Sequence, residues 1–163
     1  MHISGAKLIK EFNKSSFFVY FCIYKKLKEM STYIHQVNYY ECDRMGVTHH
    51  SNYIRFMEEA RVARMEELGY GYAKMEEDGI VSPVMSVSCE YKKTTTFMDK
   101  IEIVVKAVEI SALKVSFEYV MRVGKAVVCK GRTMHCFLKD GKPVILEEHW
   151  PDFVRILKEE IDG

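Results

Sequence analysis

KIEIVVKAVEISALKVSFEYVMRVGKAVVCKGRTMHCFL, residues 100–138, is the stretch that decides the architecture. Along it, β-branched and aromatic residues alternate with charged or polar ones, a pattern that sends one set of side chains to each face of a strand. The alternation breaks at Ser111-Ala112 and at Gly124, the second being a tight hairpin signal. Strands are therefore expected over Lys100–Ile110, Lys114–Val123 and Lys125–Leu138, with another over Val84–Lys93, separated from them by a break at Met98-Asp99. Connections this short join antiparallel neighbours, because parallel strands need a crossover between each pair.

Upstream, Tyr33-Ile34-His35-Gln36-Val37-Asn38-Tyr39 reads as one more strand, followed by a polar loop from Glu41 to His50. Ser51 or Asn52 is expected to cap a helix that runs to Leu68 and stops at Gly69. Tyr53, Phe56, Met57, Ala60 and Ala63 recur at helical spacing and predict its buried stripe, with Arg55, Glu59 and Glu66 towards the other side. A short helical piece is expected around Ala73–Glu77, a turn over residues 139–143 and a C-terminal helix over Pro151–Ile161. The order strand, long helix, four strands predicts an α+β fold in which an antiparallel five-stranded sheet wraps around one long helix. Such a sheet leaves an edge strand, and pairing with a second copy protects it.

The 163 residues are enough for one domain with its own core. Lys and Arg number 24 against 23 Asp and Glu, so bulk charge favours neither nucleic acid nor an anionic membrane as partner. Cys22, Cys42, Cys89, Cys129 and Cys136 are scattered without a C-x-x-C pair, which points away from zinc and towards a reduced, cytoplasmic protein. Residues 1–30 differ from the rest: six lysines surround the apolar run Phe17–Tyr24. That run is shorter than the roughly 20 residues a membrane span needs, and no small-x-small cleavage site follows it. It is read as a dispensable leader before a domain over residues 31–163, with Met30 as a candidate start; a membrane-surface anchor and a signal segment are the competing readings.

The sequence has no G-x-S-x-G, G-x-x-x-x-G-K-[ST], H-E-x-x-H or G-x-G-x-x-G, which disfavours α/β-hydrolase, P-loop, zincin and dinucleotide chemistry. The loop before the long helix holds the remaining chemistry. Asp43 precedes Gly46, where the backbone can turn sharply, and the helix then begins. The first N–H groups of a helix have no intrahelical acceptor, so they can receive a developing oxyanion. A carboxylate beside them can activate water or attack an acyl group. By itself an Asp in such a loop is also an ordinary turn residue.

Asp43-x-x-Gly46-Val47 followed by His50-Ser51-Asn52-Tyr53-x-x-Phe56-x-Glu58-x-Ala60-Arg61 resembles the 4-hydroxybenzoyl-CoA thioesterase family, nearest the acyl-CoA thioesterase branch associated with the bacterial Tol–Pal gene cluster. The resemblance extends over Thr32–Leu138. It implies the hotdog fold, hydrolysis of acyl-CoA without a cofactor or metal, and homodimers or homotetramers with active sites at the dimer interface. It further implies Asp43 as the catalytic carboxylate and the His50 amide as the group that polarises the thioester carbonyl. Arg44 stands where the family usually has a small or acidic residue, and Thr48-His49 where it has Val-Tyr or a similar pair, departures that bear on the acyl pocket. An acyl carrier protein thioesterase and a non-catalytic acyl-CoA-binding module are the alternatives.

Gly46, Val47, Asn52 and Tyr53 are the substrate-side residues around the helix start, with Asn52 and Tyr53 fixing that start and walling the pocket. Glu58, two turns into the helix, is where another hotdog branch carries its carboxylate; helical spacing also pairs it with Arg61 or Arg55. Lys92 and Lys93, ahead of Thr94-Thr95-Thr96, are candidates for the CoA phosphates, against the ordinary role of edge-strand lysines. His135 and His149 read as packing or surface residues, and Met57, Met65, Met85, Met98 and Met121 as fillers of core and pocket.

Overall fold

The alternating runs pair into one antiparallel sheet. The computed structural model describes residues 32–163; the leader expected over residues 1–30 lies outside them. The sheet consists of β1 (Thr32–Gln36), β3 (Val84–Tyr91), β4 (Lys100–Ile110), β5 (Lys114–Val123) and β6 (Ala126–Cys136), in the order β1-β4-β5-β6-β3. Every neighbouring pair is antiparallel, but short connections join only β4 to β5 and β5 to β6; β3 crosses over to pair with β6 rather than with β4, its neighbour in the chain, and β1 pairs with β4 across the intervening helix. The β4 and β5 bounds coincide with those expected, because their alternation stops abruptly at loop residues. β3 ends at Tyr91, two residues early: the amides of Lys92 and Lys93 both turn onto the Val128 carbonyl, at 2.8 and 3.1 Å.

Helix α1 (Asn52–Glu67) packs its apolar stripe on the inner face of this sheet. Tyr53, Phe56, Met57 and Ala60 are buried, and they meet Ile101, Ile103 and Val105 of β4 with Phe117, Tyr119 and Met121 of β5 in one core. Ala63 is only half-buried, and Arg64 takes the place expected for it. The reason is a neighbour that periodicity cannot show. The C-terminal helix, α4 (Pro151–Asp162), packs on β4, and its Glu160 reaches the buried Arg64 at 3.2 Å, with Glu67 of α1 on the same guanidinium at 3.7 Å. Gly131 of β6 lets α1 approach: a Cβ there would fall 2.5 Å from Met57 Sδ and 3.2 Å from the Ser88 carbonyl.

Gly69 ends α1 as expected, at φ +81°, with Gly69 N–H on the Glu66 carbonyl and Tyr70 N–H on the Met65 carbonyl. That pair of bonds is a Schellman closure. The start of α1 departs from expectation. Neither Ser51 nor Asn52 caps it, and Ser51 is already helical at φ −65° and ψ −24°. Both side chains are occupied elsewhere, Ser51 Oγ by His49 Nδ1 at 2.8 Å and Asn52 Nδ2 by the Glu41 carbonyl at 2.8 Å.

Beyond the main sheet, α2 (Tyr72–Asp78) leads into a small sheet of β2 (Ile80–Val81), β7 (Leu138–Lys139) and β8 (Lys142–Pro143), the last two making the turn expected over residues 139–143. One turn of helix, α3 (Leu146–His149), precedes α4. Trp150 between them donates its indole N–H to Asp78 at 2.6 Å and packs on Tyr70, Phe137 and Phe153. The expected methionine set divides. Met57, Met65 and Met121 are buried, whereas Met85 and Met98 are exposed, one on the edge strand and one in the turn before β4. Among the described residues no helix is long and apolar enough to cross a membrane.

Candidate active site

The loop between β1 and α1 is held by backbone bonds at nearly every residue. Cys42 and Thr48 form an antiparallel bridge, Asp43 N–H donates to the Val47 carbonyl at 2.9 Å, and Gly46 N–H returns to the Asp43 carbonyl at 2.9 Å. Gly46 closes this small hairpin at φ +76°, a conformation that costs other residues about 1–2 kcal/mol. Asp43 stands at the hairpin base, half-buried, and its Oδ1 accepts from Met45 N–H at 2.7 Å. Among the described residues no donor is bonded to Oδ2.

From Thr48 the chain turns directly into α1. Thr48 N–H is bound by the Thr95 carbonyl at 2.8 Å, His49 N–H by the Glu41 carbonyl at 2.8 Å and Asn52 N–H by the His49 carbonyl at 2.9 Å. His50 differs from these neighbours: among the described residues no acceptor takes its N–H. That donor lies at the positive end of α1, two residues beyond the bridge that closes the Asp43 hairpin. The His50 carbonyl accepts from Tyr91 Oη at 3.1 Å. Burial, with the Cys89 thiol beside it, pushes the Tyr91 hydroxyl up to about 12, so it stays a donor through the neutral range.

Spacing along the chain could not reveal what holds this turn. Glu41 is buried and acts at both its ends. Its carboxylate accepts from Asn38 N–H at 2.7 Å and meets His35 Nε2 at 2.9 Å, while its carbonyl holds His49 N–H and the Asn52 side chain. His35 Nδ1 faces Glu59 of α1 at 2.9 Å, and the ring stacks on Phe56 at 3.9 Å. Two such bonds require protons on both ring nitrogens, or one on a carboxyl. On the other side, Thr95 Oγ1 lies 2.6 Å from Thr48 Oγ1 and 2.9 Å from the Tyr53 hydroxyl, and Thr96 Oγ1 donates to the Gly46 carbonyl at 2.8 Å. His35, Glu41, Glu59, Tyr91, Thr95 and Thr96 thus support the loop, and none belonged to the expected set. Their partners lie 6 to 50 residues away in sequence, except for the Asn38–Glu41 and Thr96–Asp99 turns.

With this geometry in place, comparison with known proteins decides the family. Residues 37–155 match the thioesterase-like superfamily. The chain belongs to that superfamily. Its fold is the hotdog fold, an antiparallel five-stranded sheet around a long helix. A proposed esterase of Aquifex aeolicus is 34% identical over 127 residues, 78% of this chain and 97% of its own length. YneP of Bacillus subtilis, a proposed acyl-CoA thioesterase, is 29% identical over 121 residues, 72% of this chain and 88% of its own. Among solved structures, the DHNA-CoA thioesterase of Staphylococcus aureus superposes with a TM-score of 0.74 at 30% identity, over 79% of this chain and 89% of the other.

In this thioesterase-like chain the expected site residues do not all converge. Asp43, Gly46, Val47, His50, Asn52 and Tyr53 share the loop and the first turn of α1. Glu58 is exposed further along α1, and among the described residues no ion pair joins it to Arg55 or Arg61, so the expected helical pairing is absent. Lys92 pairs with Glu90 at 2.6 Å, and Lys93 is exposed beside it. A pocket opens between the C-terminal half of α1, α2 and β5, lined by Arg61, Met65, Met75, Ser82, Phe117 and Phe137 among others, and it includes none of the expected catalytic or substrate-binding residues. Behind it His135, expected to be a packing or surface residue, is fully buried with Nε2 at 2.8 Å from Thr133 Oγ1 and 3.4 Å from Arg61 Nη1. Burial, reinforced by the Arg61 charge, holds its imidazole down at about 4.

Proposed function

We propose that this chain hydrolyses acyl-CoA thioesters to free acid and CoA, as a member of the 4-hydroxybenzoyl-CoA thioesterase family near the Tol–Pal-associated branch. One observation carries the reading: the His50 N–H has no acceptor among the described residues, at a helix start built onto the Asp43 hairpin. In the proposed reaction the thioester carbonyl oxygen accepts from that N–H. Asp43 Oδ2 takes a proton from water as the water oxygen bonds to the carbonyl carbon. The oxyanion of the tetrahedral intermediate is stabilised by the amide and the α1 dipole. Collapse breaks the C–S bond and the CoA thiolate leaves, taking up a proton. Direct attack by Asp43 would instead form an acyl anhydride that water then opens.

The names of the relatives support CoA as the leaving group, since the Staphylococcus aureus and Bacillus subtilis proteins are both described by CoA thioesters. Gly46, Val47, Asn52 and Tyr53 are proposed to form the substrate side of the loop, Glu58 the neighbouring helix face, and Lys92 and Lys93 the phosphate contacts. The edge strand β3 supports a homodimer or homotetramer with the site at the dimer interface: it bonds to β6 on one side only, and Val84, Met85, Val87 and Tyr91 are exposed along it. The remaining parts of the reading are a cytoplasmic location and residues 1–30 as a dispensable leader.

The test is a thiol-release assay over a panel of aliphatic and aromatic acyl-CoAs. Asp43→Asn should lower turnover by about 10²–10⁴-fold while leaving the oligomer and circular dichroism unchanged. Full activity in pure Asp43→Ala protein would sink the assignment. Matched acyl-carrier-protein substrates turned over faster than acyl-CoA would move the leaving group from CoA to the carrier.

A further inference from the structure

Two cysteines in the sheet have an arrangement that the hydrolysis mechanism does not use. Cys89 on β3 and Cys129 on β6 are diagonal neighbours, since Cys89 registers with Gly131 and Tyr91 with Cys129. Their sulfurs lie 3.2 Å apart and both thiols are free. Closing that gap to a disulfide, with an S–S bond of about 2.05 Å, brings the sulfurs roughly 1 Å nearer and draws the two strands together at this diagonal pair. Cys89 is half-exposed on the edge strand and Cys129 is fully buried behind it. In the single chain an oxidant would therefore reach Cys89 first, leaving Cys129 placed to resolve it.

We propose that Cys89 and Cys129 are a peroxide-sensitive pair that closes into a reversible disulfide, tying edge strand β3 to β6. Their chemistry divides accordingly. The hydrogen bond between the two sulfurs holds the Cys89 pKa down to about 7, while the same contact and burial push Cys129 up. Cys89 is thus the thiolate-bearing partner near neutral pH, and the thiolate is the nucleophile. It attacks one oxygen of hydrogen peroxide, the O–O bond breaks, and hydroxide leaves as the sulfur becomes a sulfenic acid. Cys129 then attacks that sulfur, the S–S bond forms, and the sulfenic oxygen departs as water with the Cys129 proton. In sum two thiols and one peroxide give one disulfide and two waters. A dithiol reverses it, its own thiols being oxidised as the two cysteines are reduced. The bond would also bear on the loop, because Tyr91, two residues along β3, reaches the His50 carbonyl.

The full chain is exposed to hydrogen peroxide, alkylated with iodoacetamide under denaturing conditions, digested and mapped by mass spectrometry. A peptide pair joined through Cys89 and Cys129, two hydrogens lighter than the reduced pair and released by dithiothreitol, is the expected product. Cys89→Ser and Cys129→Ala, each checked for native circular dichroism, should both abolish it. If either variant fails to fold, wild type decides alone through the same mapped link. Complete alkylation of both cysteines after peroxide would overturn the proposal, and so would Cys89 overoxidised or joined to a second copy. This readout does not depend on acyl-CoA turnover, so it fails or succeeds independently of the hydrolase reading.

Discussion

Glu41 shows how one residue can set the geometry of a site without facing it. Its carboxylate is fixed by His35 and Asn38, so its carbonyl holds His49 and Asn52 in the arrangement that leaves the His50 N–H without an acceptor among the described residues. Glu41→Gln keeps the volume but weakens the bond to His35. It is expected to lower kcat roughly 10-fold or more with little change in KM, because small misplacements of a catalytic donor are expensive. Steady-state kinetics beside Asp43→Asn would separate this positioning role from a general loss of folded enzyme. His135 gives a stability prediction. Its folded value of about 4 lies below the ordinary 6.5, so the unfolded chain takes up a proton that the folded chain refuses. The contribution is complete above about pH 6.5, declines as pH falls towards 4 and levels off below. Between pH 7 and 5.5 the loss should be about 1 kcal/mol. Urea midpoints would read it, and His135→Asn should flatten that part of the curve.

At the scale of elements, α1 is bounded by two different devices. Its C-terminus is local: Gly69 at positive φ accepts the Schellman closure, and a Cβ there would meet nothing within 4 Å. Gly69→Ala should therefore cost only backbone strain, about 1–2 kcal/mol, seen as a fall of a few degrees in thermal midpoint with activity retained. Its N-terminus is not local. The side chains that would ordinarily cap it are held by His49 and Glu41, and the preceding turn is pinned by Thr95 from the far side of the sheet sequence. The helix start is thus placed by contacts from distant residues rather than by its own cap. Edge strand β3 carries a comparable cost in the single chain, with exposed apolar residues and one unbonded side.

For the whole molecule, the proposed assembly across that edge can be tested directly. Val87→Lys places a charge on the exposed face of β3 and should shift the protein to monomers by light scattering, while circular dichroism remains native. Turnover is expected to fall with the oligomer, since the proposed sites lie at the interface. The same substitution distinguishes assembly from catalysis: Asp43→Asn should lose turnover as an intact oligomer, Val87→Lys as a dissociated one.

Much of this architecture was legible because it rests on periodicity and short connections. Alternation over residues 100–138 dictates antiparallel strands, apolar spacing after Asn52 dictates the helix, and Gly46 and Gly69 mark turns that need positive φ. The loop motif was legible as a family resemblance, and the proposed roles of Asp43 and His50 rest on it. What only the tertiary structure decided are the pairings between residues far apart in sequence: His35 with Glu41 and Glu59, Thr48 with Thr95, Arg64 with Glu160, Cys89 with Cys129. A sequence pattern reports which face a residue takes relative to its neighbours. The sheet and the helix laid on it determine which two faces meet, and there the support of the site and the cysteine pair arise.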